Sequence, residues 1–194
     1  MSPNGSAVVA YATQHDAIWA ISGSVSGGFS APVFIGAGDY GKNSTPKAAL
    51  DDAGQASLVW SESGGTHAAT RSPGGTWSAP VTLVSQSSSS VATAIDGAGN
   101  AIAVFGSSYS WHLAGGGWQP TVALPAGSAG GLVVADPAGT FVYADSGGNA
   151  FTFGAGATGF GSGSGSRGSL DDLKIVPGHA VMLAGGAVSA EPVS

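Results

Sequence analysis

Along this chain the apolar positions come in short runs cut by clusters of glycine, serine, aspartate and proline. Runs of that length, rich in valine, isoleucine, alanine and aromatic residues and bounded by turn formers, predict β-strands. No stretch carries the 3.6-residue rhythm of a helix. The pattern predicts strands at Pro46–Leu50, Ala56–Ser61, Thr66–Arg71 and Trp77–Val84, then at Val91–Ile95, Ala101–Phe105, Tyr109–Leu113 and Trp118–Leu124. A third set follows at Leu132–Ala135, Phe141–Ala144 and Ala150–Phe153, with a poor fourth strand near Phe160.

These sets share their wording. ALDDAGQASLVW (Ala49–Trp60), AIDGAGNAIAVF (Ala94–Phe105) and VADPAGTFVYAD (Val134–Asp145) each read strand, Asp-containing turn, strand. A second phrase, glycines then an aromatic residue, appears in GGTWSAPVTL (Gly74–Leu83) and GGGWQPTVAL (Gly115–Leu124). The turn glycines Gly54, Gly99 and Gly139 set the register, with weaker copies at Gly5 and Gly178. Repeats of about 40–49 residues with four strands each predict an all-β fold, a β-propeller of four-stranded antiparallel blades. Four or five blades fit, or part of a larger ring, in one domain over 1–194 with blade-like units at 5–35, 46–84, 90–124, 130–160 and 170–194 and a glycine/serine-rich loop at 161–169.

The first unit offers second, third and fourth strands (Ala7–Thr13, Ala17–Ser22, Phe29–Ile35) without a first. Asp171–Val176 is a candidate to supply it and close the ring, which would leave Ala180–Ala184 and the tail to Ser194 as surplus. Closure between copies of the chain, a homo-oligomer, is the alternative.

Asp51, Asp96 and Asp136 fall where an Asx turn holds the hairpin, and the glycine three residues on accommodates a positive φ. A residue repeated at one turn in three copies maintains the fold. Trp77 and Trp118, with Phe29 as the first-copy equivalent, are expected to fill the gap between neighbouring blades.

The segment TRSPGGTW, Thr70–Trp77, resembles the Asp-box pattern S-x-D-x-G-x-T-W on the turn between third and fourth strands of sialidase-like propeller blades, with Ser72 standing where the box has its Asp. The combined phrases, from about Gly5 to Gly139, also resemble the tandem repeats of uncharacterised secreted bacterial proteins described as sialidase-like. That resemblance implies an exported or cell-surface bacterial protein. A working sialidase would use three arginines on the substrate carboxylate, a Tyr nucleophile with a Glu, and an acid/base Asp. Only Arg71 and Arg167 exist here, and Arg71 lies in the box itself.

Composition narrows the function further. Eleven acidic residues face five basic ones, a net charge of −6, and no basic stripe exists to follow a phosphate backbone or an anionic membrane. No nucleic-acid partner and no membrane insertion are therefore expected. Cysteine is absent, and His15, His67, His112 and His179 have no metal-binding spacing, so no metal or cofactor is expected. The start MSPNGSAVVAYA lacks the basic and apolar regions of a signal peptide, which places any export signal outside this chain. Asp16, Asp39, Glu62 and Asp145 fall in loops, where scattered surface carboxylates are the ordinary reading.

Binding is expected on irregular loops. The Asp turns and box turns share one face of such a propeller; the second-to-third-strand turns and the blade connections share the other. On that other face GAGDYGKNSTP (Gly36–Pro46) brings Asp39, Tyr40, Lys42 and Asn43, beside Glu62 of one turn and His15 and Asp16 of another. An aromatic platform in a hydroxyl-rich rim suits a glycan or a surface protein. The leading reading is a non-catalytic binding module for glycan or protein. A glycoside hydrolase or lyase on the same scaffold, and a structural spacer or fragment, are the alternatives.

Overall fold

The computed structural model describes residues 2, 4–14, 17–38, 45–125, 128–154, 157, 159–161, 169–176, 179–184 and 187–192. Among them every regular element is a strand, and the strands form five antiparallel sheets in chain order. Sheet 1 holds β1 (Ser6–Ala12), β2 (Ala17–Ser24), β3 (Gly28–Phe29) and β4 (Val33–Ala37), with β3 and β4 both paired to β2. Sheet 2 runs β5 (Lys47–Leu50), β6 (Ala56–Glu62), β7 (Gly65–Arg71), β8 (Val81–Val84). Sheet 3 runs β9 (Val91–Ile95), β10 (Ala101–Phe105), β11 (Ser108–His112), β12 (Val122–Ala123). Sheet 4 holds β13 (Leu132–Ala135), β14 (Phe141–Ala144) and β15 (Ala150–Phe153), and sheet 5 holds β16 (Leu170–Val176), β17 (His179–Ala184) and β18 (Ala187–Pro192).

The sheets stack face to face because their second strands are apolar on both sides. Leu58 and Trp60 of β6 pack with Ile18, Ala20 and Ile35 of sheet 1, while Val59 between them packs with Ala103 and Phe105 of sheet 3. One residue further along, Ile102 and Val104 meet Phe141, Tyr143 and Phe153 of sheet 4, and Val142 and Ala144 meet Leu173 of sheet 5. Alternate side chains thus feed successive interfaces, as the period-2 geometry of a strand requires. The inner strands converge on one cavity of about 420 Å³, to which Val8, Leu50, Ile95, Val134 and Leu173 each contribute from a different sheet.

Two expectations change. Asp171–Val176 does not complete the first sheet: β16 pairs with β17, and the supposed surplus forms the rest of sheet 5. The outer phrases are not continuous strands either. Trp77 and Trp118 make single bridges to Arg71 and His112, and pairing resumes only at Val81 and Val122. Pro80 and Pro120 lie in the gap, where a residue without an N–H interrupts the ladder. The degraded fourth copy is nonetheless recognisable. The residue after each aromatic donates its N–H to the third strand: Ser30 to Ser22 O, Ser78 to Thr70 O, Gln119 to Trp111 O, and Gly161 to Thr152 O. Phe160 is therefore the fourth-sheet counterpart of Trp77 and Trp118.

The Asp turns share one construction. In each, the N–H of the Asp bonds the carbonyl four residues on, and the glycine N–H bonds back to the Asp carbonyl, at 51–55, 96–100 and 136–140. Asp96 Oδ1 accepts from Ala98 N and Asn100 N, and Oδ2 from Asn100 Nδ2. Asp51 receives Gln55 N and Gln55 Nε2 in the same way. Two further copies appear. Asp145–Asn149 repeats every one of these bonds on the opposite face, between β14 and β15. Ser2–Ser6 repeats the backbone pair, with buried Ser2 where the others have Asp.

Candidate functional site

The two faces are built differently. On the Asp-turn face, neighbouring turns touch: Gly97 N donates to Pro137 O (3.2 Å), Asn4 Nδ2 donates to Asp52 O, and Gln55 packs against Gly99. Arg71 bonds Gly54 O and lies 5.7 Å over the Trp77 ring; Ala114 N donates to Asn100 Oδ1. These contacts tie the Asp turns to the turns that precede Trp77 and Trp118, so both lie on one face. They also occupy most of the polar groups there, while Arg71 Nε and His112 Nδ1 stay buried without an aligned hydrogen bond. Arg71 and His112 hold equivalent places beside Trp77 and Trp118, and burial lowers the pKa of both. Trp77 and Trp118 pack only partly into the seams between sheets. The side chain that fills the seam is Trp60, at 1% exposure, and sequence reasoning passed it over.

The opposite face carries the described chemistry. Of the candidate residues, Glu62 lies within the described part, while His15, Asp16, Asp39, Tyr40, Lys42 and Asn43 fall outside it. Glu62 ends β6, and the cross-strand register puts Trp60 opposite His67. Glu62 Oε1 comes within 2.8 Å of His67 Nε2, a close approach that lacks hydrogen-bond alignment. His67 Nδ1 is 3.2 Å from Thr82 Oγ1, and its ring stacks on Trp60 at 5.5 Å between centroids and 29° between planes. Trp60 Nε1 donates to Ala37 O. Gly36 is held so closely that an added Cβ would meet Pro80 and the Trp60 ring at 3.1 Å. The strand that leads into residues 39–44 is thus fastened to the indole next to the Glu62–His67 pair.

Around this seam the buried hydroxyls are structural. Ser61 Oγ accepts from Ser88 N, and Thr66 Oγ1 bonds Ser88 Oγ, which pins the connection between β8 and β9. Asp145, a loop carboxylate in the sequence reading, is consumed by the turn it closes. Tyr109 and Tyr143 form an aromatic cluster with Phe153 and Phe160 between sheets 3 and 4. Burial raises the pKa of both phenols, and the Asp145 charge adds to the rise at Tyr143. Among the described residues no group of three or more His, Cys, Asp or Glu is placed to hold a metal ion.

No family model matches the sequence, and no curated protein matches it. Solved structures do. The C-terminal WD40 domain of Sif2 is similar at a TM-score of 0.61 and 13% identity, over 98% of this chain and 57% of that one. YCF48 bound to a D1 peptide is similar at 0.52 and 18%, over 93% and 62%. A streptogramin B lyase is similar at 0.57 and 11%, over 97% and 74%. The chain has the β-propeller fold, as a partial ring of blades, and it spans less than two thirds of the length of YCF48 and of the Sif2 chain.

Proposed function

We propose that this chain is a non-catalytic interaction module of an exported or cell-surface bacterial protein, and that it binds a protein segment over the face carrying the Glu62–His67 seam. The observation that carries this reading is the contrast between the faces. Asp turns and their amide partners fill one. The other presents a carboxylate, an imidazole and a hydroxyl in a row beside an indole. At that rim Glu62 and Thr82 offer polar groups to a backbone amide, held in place by the His67 ring, which is buried against Trp60. The D1 peptide bound to YCF48 supports a polypeptide ligand on this fold. The residues of 39–44, with Tyr40 and Lys42, would extend the same rim.

The test is direct binding of the purified chain to a displayed peptide library and to a glycan array, with Glu62→Gln and His67→Gln beside the parent. Peptide ligands whose affinity falls about tenfold or more in both variants are expected, since buried charged hydrogen bonds cost about 2–3 kcal/mol when lost. Glycan hits sensitive to the same variants would replace protein with glycan as ligand. Turnover of a glycoside or lactone substrate dependent on Glu62 would overturn the non-catalytic reading.

A further inference from the structure

We infer that Thr82 is the acceptor hydroxyl for a single acyl group, taken from an activated carboxylic ester such as an aryl ester or thioester, with His67 as the base and Glu62 as the residue that positions it.

The three side chains stand together because of the register of sheet 2. Trp60 of β6 pairs with His67 of β7, and His67 pairs in turn with Thr82 of β8. The register slips between Thr66 and His67, whose partners are Val84 and Thr82, so that Leu83 is passed over. A bulge of this kind re-aims the side chains beside it. Thr82 is β-branched and stiff at χ1, and buried Gly65 leaves room for its methyl, since a Cβ added there would come within 3.4 Å of Thr82 Cγ2. The hydroxyl is left facing the imidazole, with Oγ1 3.2 Å from His67 Nδ1. The next blade does not repeat the row. Its matching positions, Phe105, Ser108 and Ala123, carry no imidazole.

Proton placement completes the arrangement. Glu62 Oε1 stands 2.8 Å from His67 Nε2. A bare nitrogen there would set its lone pair against the carboxylate, so the neutral ring carries its proton on Nε2 and turns an accepting Nδ1 to Thr82. Trp60, stacked on the ring at 5.5 Å, fixes the imidazole plane. Exposure matches the roles: the His67 and Glu62 side chains are 14% and 17% exposed, whereas Thr82 lies open to solvent. In the step, Thr82 Oγ1 bonds the acyl carbon while the hydroxyl proton passes to His67 Nδ1. The bond from that carbon to the leaving aryl oxide or thiolate breaks, and the proton moves from Nδ1 to the leaving group. The products are a threonyl ester and a phenol or thiol. An alkyl ester is less reactive than the activated ester it came from, so the acyl group stays and no turnover follows.

This step needs no peptide ligand, so it stands or falls separately from the binding reading above. The probe is p-nitrophenyl acetate, added to the intact chain near neutral pH while p-nitrophenolate release, intact mass and peptide maps are followed. Mild hydroxylamine removes a threonyl ester and leaves acetylated lysine, which separates the two. The expected result is a burst of one p-nitrophenolate per chain and one hydroxylamine-labile acetyl group on Thr82. Labelling should be at least about tenfold slower in His67→Gln and Glu62→Gln, absent in Thr82→Val and kept in Thr82→Ser. Nitrogen NMR of the neutral ring should show the proton on Nε2 in the parent, whereas Glu62→Gln, whose amide can also donate, admits the Nδ1 tautomer. Mapping and tautomer are both read on the parent, so no variant has to fold for them to decide. Acetyl groups confined to lysines, sustained release that leaves no acyl group on the chain, or a parent His67 protonated on Nδ1 overturns the inference. So does labelling of Thr82 at the parent rate in His67→Gln or Glu62→Gln.

Discussion

Replacing Asp96 by alanine tests whether the repeated turn is the fastening of this fold. The carboxylate is 1% exposed and accepts three hydrogen bonds, from Ala98 N, Asn100 N and Asn100 Nδ2, at 2.8–2.9 Å. Alanine removes both acceptor oxygens and breaks all three bonds, of which the one from exposed Ala98 is the easiest for water to replace; each lost partner costs about 1–3 kcal/mol. Relaxation of the turn recovers part, so Asp96→Ala is expected to cost about 3–4 kcal/mol, a large share of a domain's stability. With a urea slope of about 2 kcal/mol per molar, the midpoint falls by about 1.5–2 M at unchanged slope. Asp136→Ala is the internal standard. Asp136 is half-buried, so water replaces part of what its carboxylate supplies to Ala138 N; a cost of about 1 kcal/mol follows. Asp96→Asn should fall between them, because its new amide opposes the Asn100 amide, and a flip there would sacrifice the bond from Ala114 N. Urea melts followed by tryptophan fluorescence decide the matter. Equal costs for Asp96→Ala and Asp136→Ala, or a cost below about 0.5 kcal/mol for the former, would refute the argument from burial.

Gly54→Ala and Gly99→Ala separate backbone strain from contact between blades. Both glycines sit at φ +86°, but an added Cβ meets nothing at Gly54 and lands on the Gln55 amide at Gly99; Gly54→Ala should cost about 1–2 kcal/mol by thermal melt and Gly99→Ala clearly more. Burial depresses the His112 pKa below its unfolded value, so the unfolded chain takes up the proton first as pH falls. Stability should therefore be full above about pH 6.5 and decline toward pH 5, and His112→Phe should flatten that part of the Tm profile relative to the parent. Absorbance titration at alkaline pH should show Tyr109 and Tyr143 ionising later than a free tyrosine, since burial raises both; loss of the delay in the single Phe variants assigns it.

The strands were legible because alternation and turn chemistry agree in this chain. β9, β10, β13, β14 and β15 fall on the expected residues. What stayed hidden was pairing. Nothing in Asp171–Val176 distinguishes a strand that closes sheet 1 from one that opens sheet 5, because both need the same short apolar run; the choice depends on contacts distant in sequence. The outer strands were overextended because Trp77 and Trp118 advertise a strand while Pro80 and Pro120 cut it. Trp60 was missed for the opposite reason. It sits inside a strand buried on both faces, where periodicity cannot say which face meets the neighbouring sheet. At the candidate site, Glu62 was visible as a lone loop carboxylate, but its partner His67 appears only through cross-strand register.

The repeats also show where specificity must reside. Between first and second strands the turns read DDAGQ, DGAGN and DPAGT, and their atoms repeat the same bonds. Between second and third strands nothing repeats: sheet 2 places Glu62 next to a glycine turn, sheet 3 reduces the connection to Gly106 and Ser107, and sheet 4 inserts the closed Asp145–Asn149 turn. A surface held constant in every blade offers a ligand the same features several times over and cannot discriminate. The face on which each blade differs can do so, and the only described carboxylate–imidazole pair stands there, at Glu62 and His67. The Asp turns, by taking up Asp51, Asp96 and Asp145 in backbone bonds, withdraw those charges from any chemistry and leave this seam as the polar contrast of the described surface.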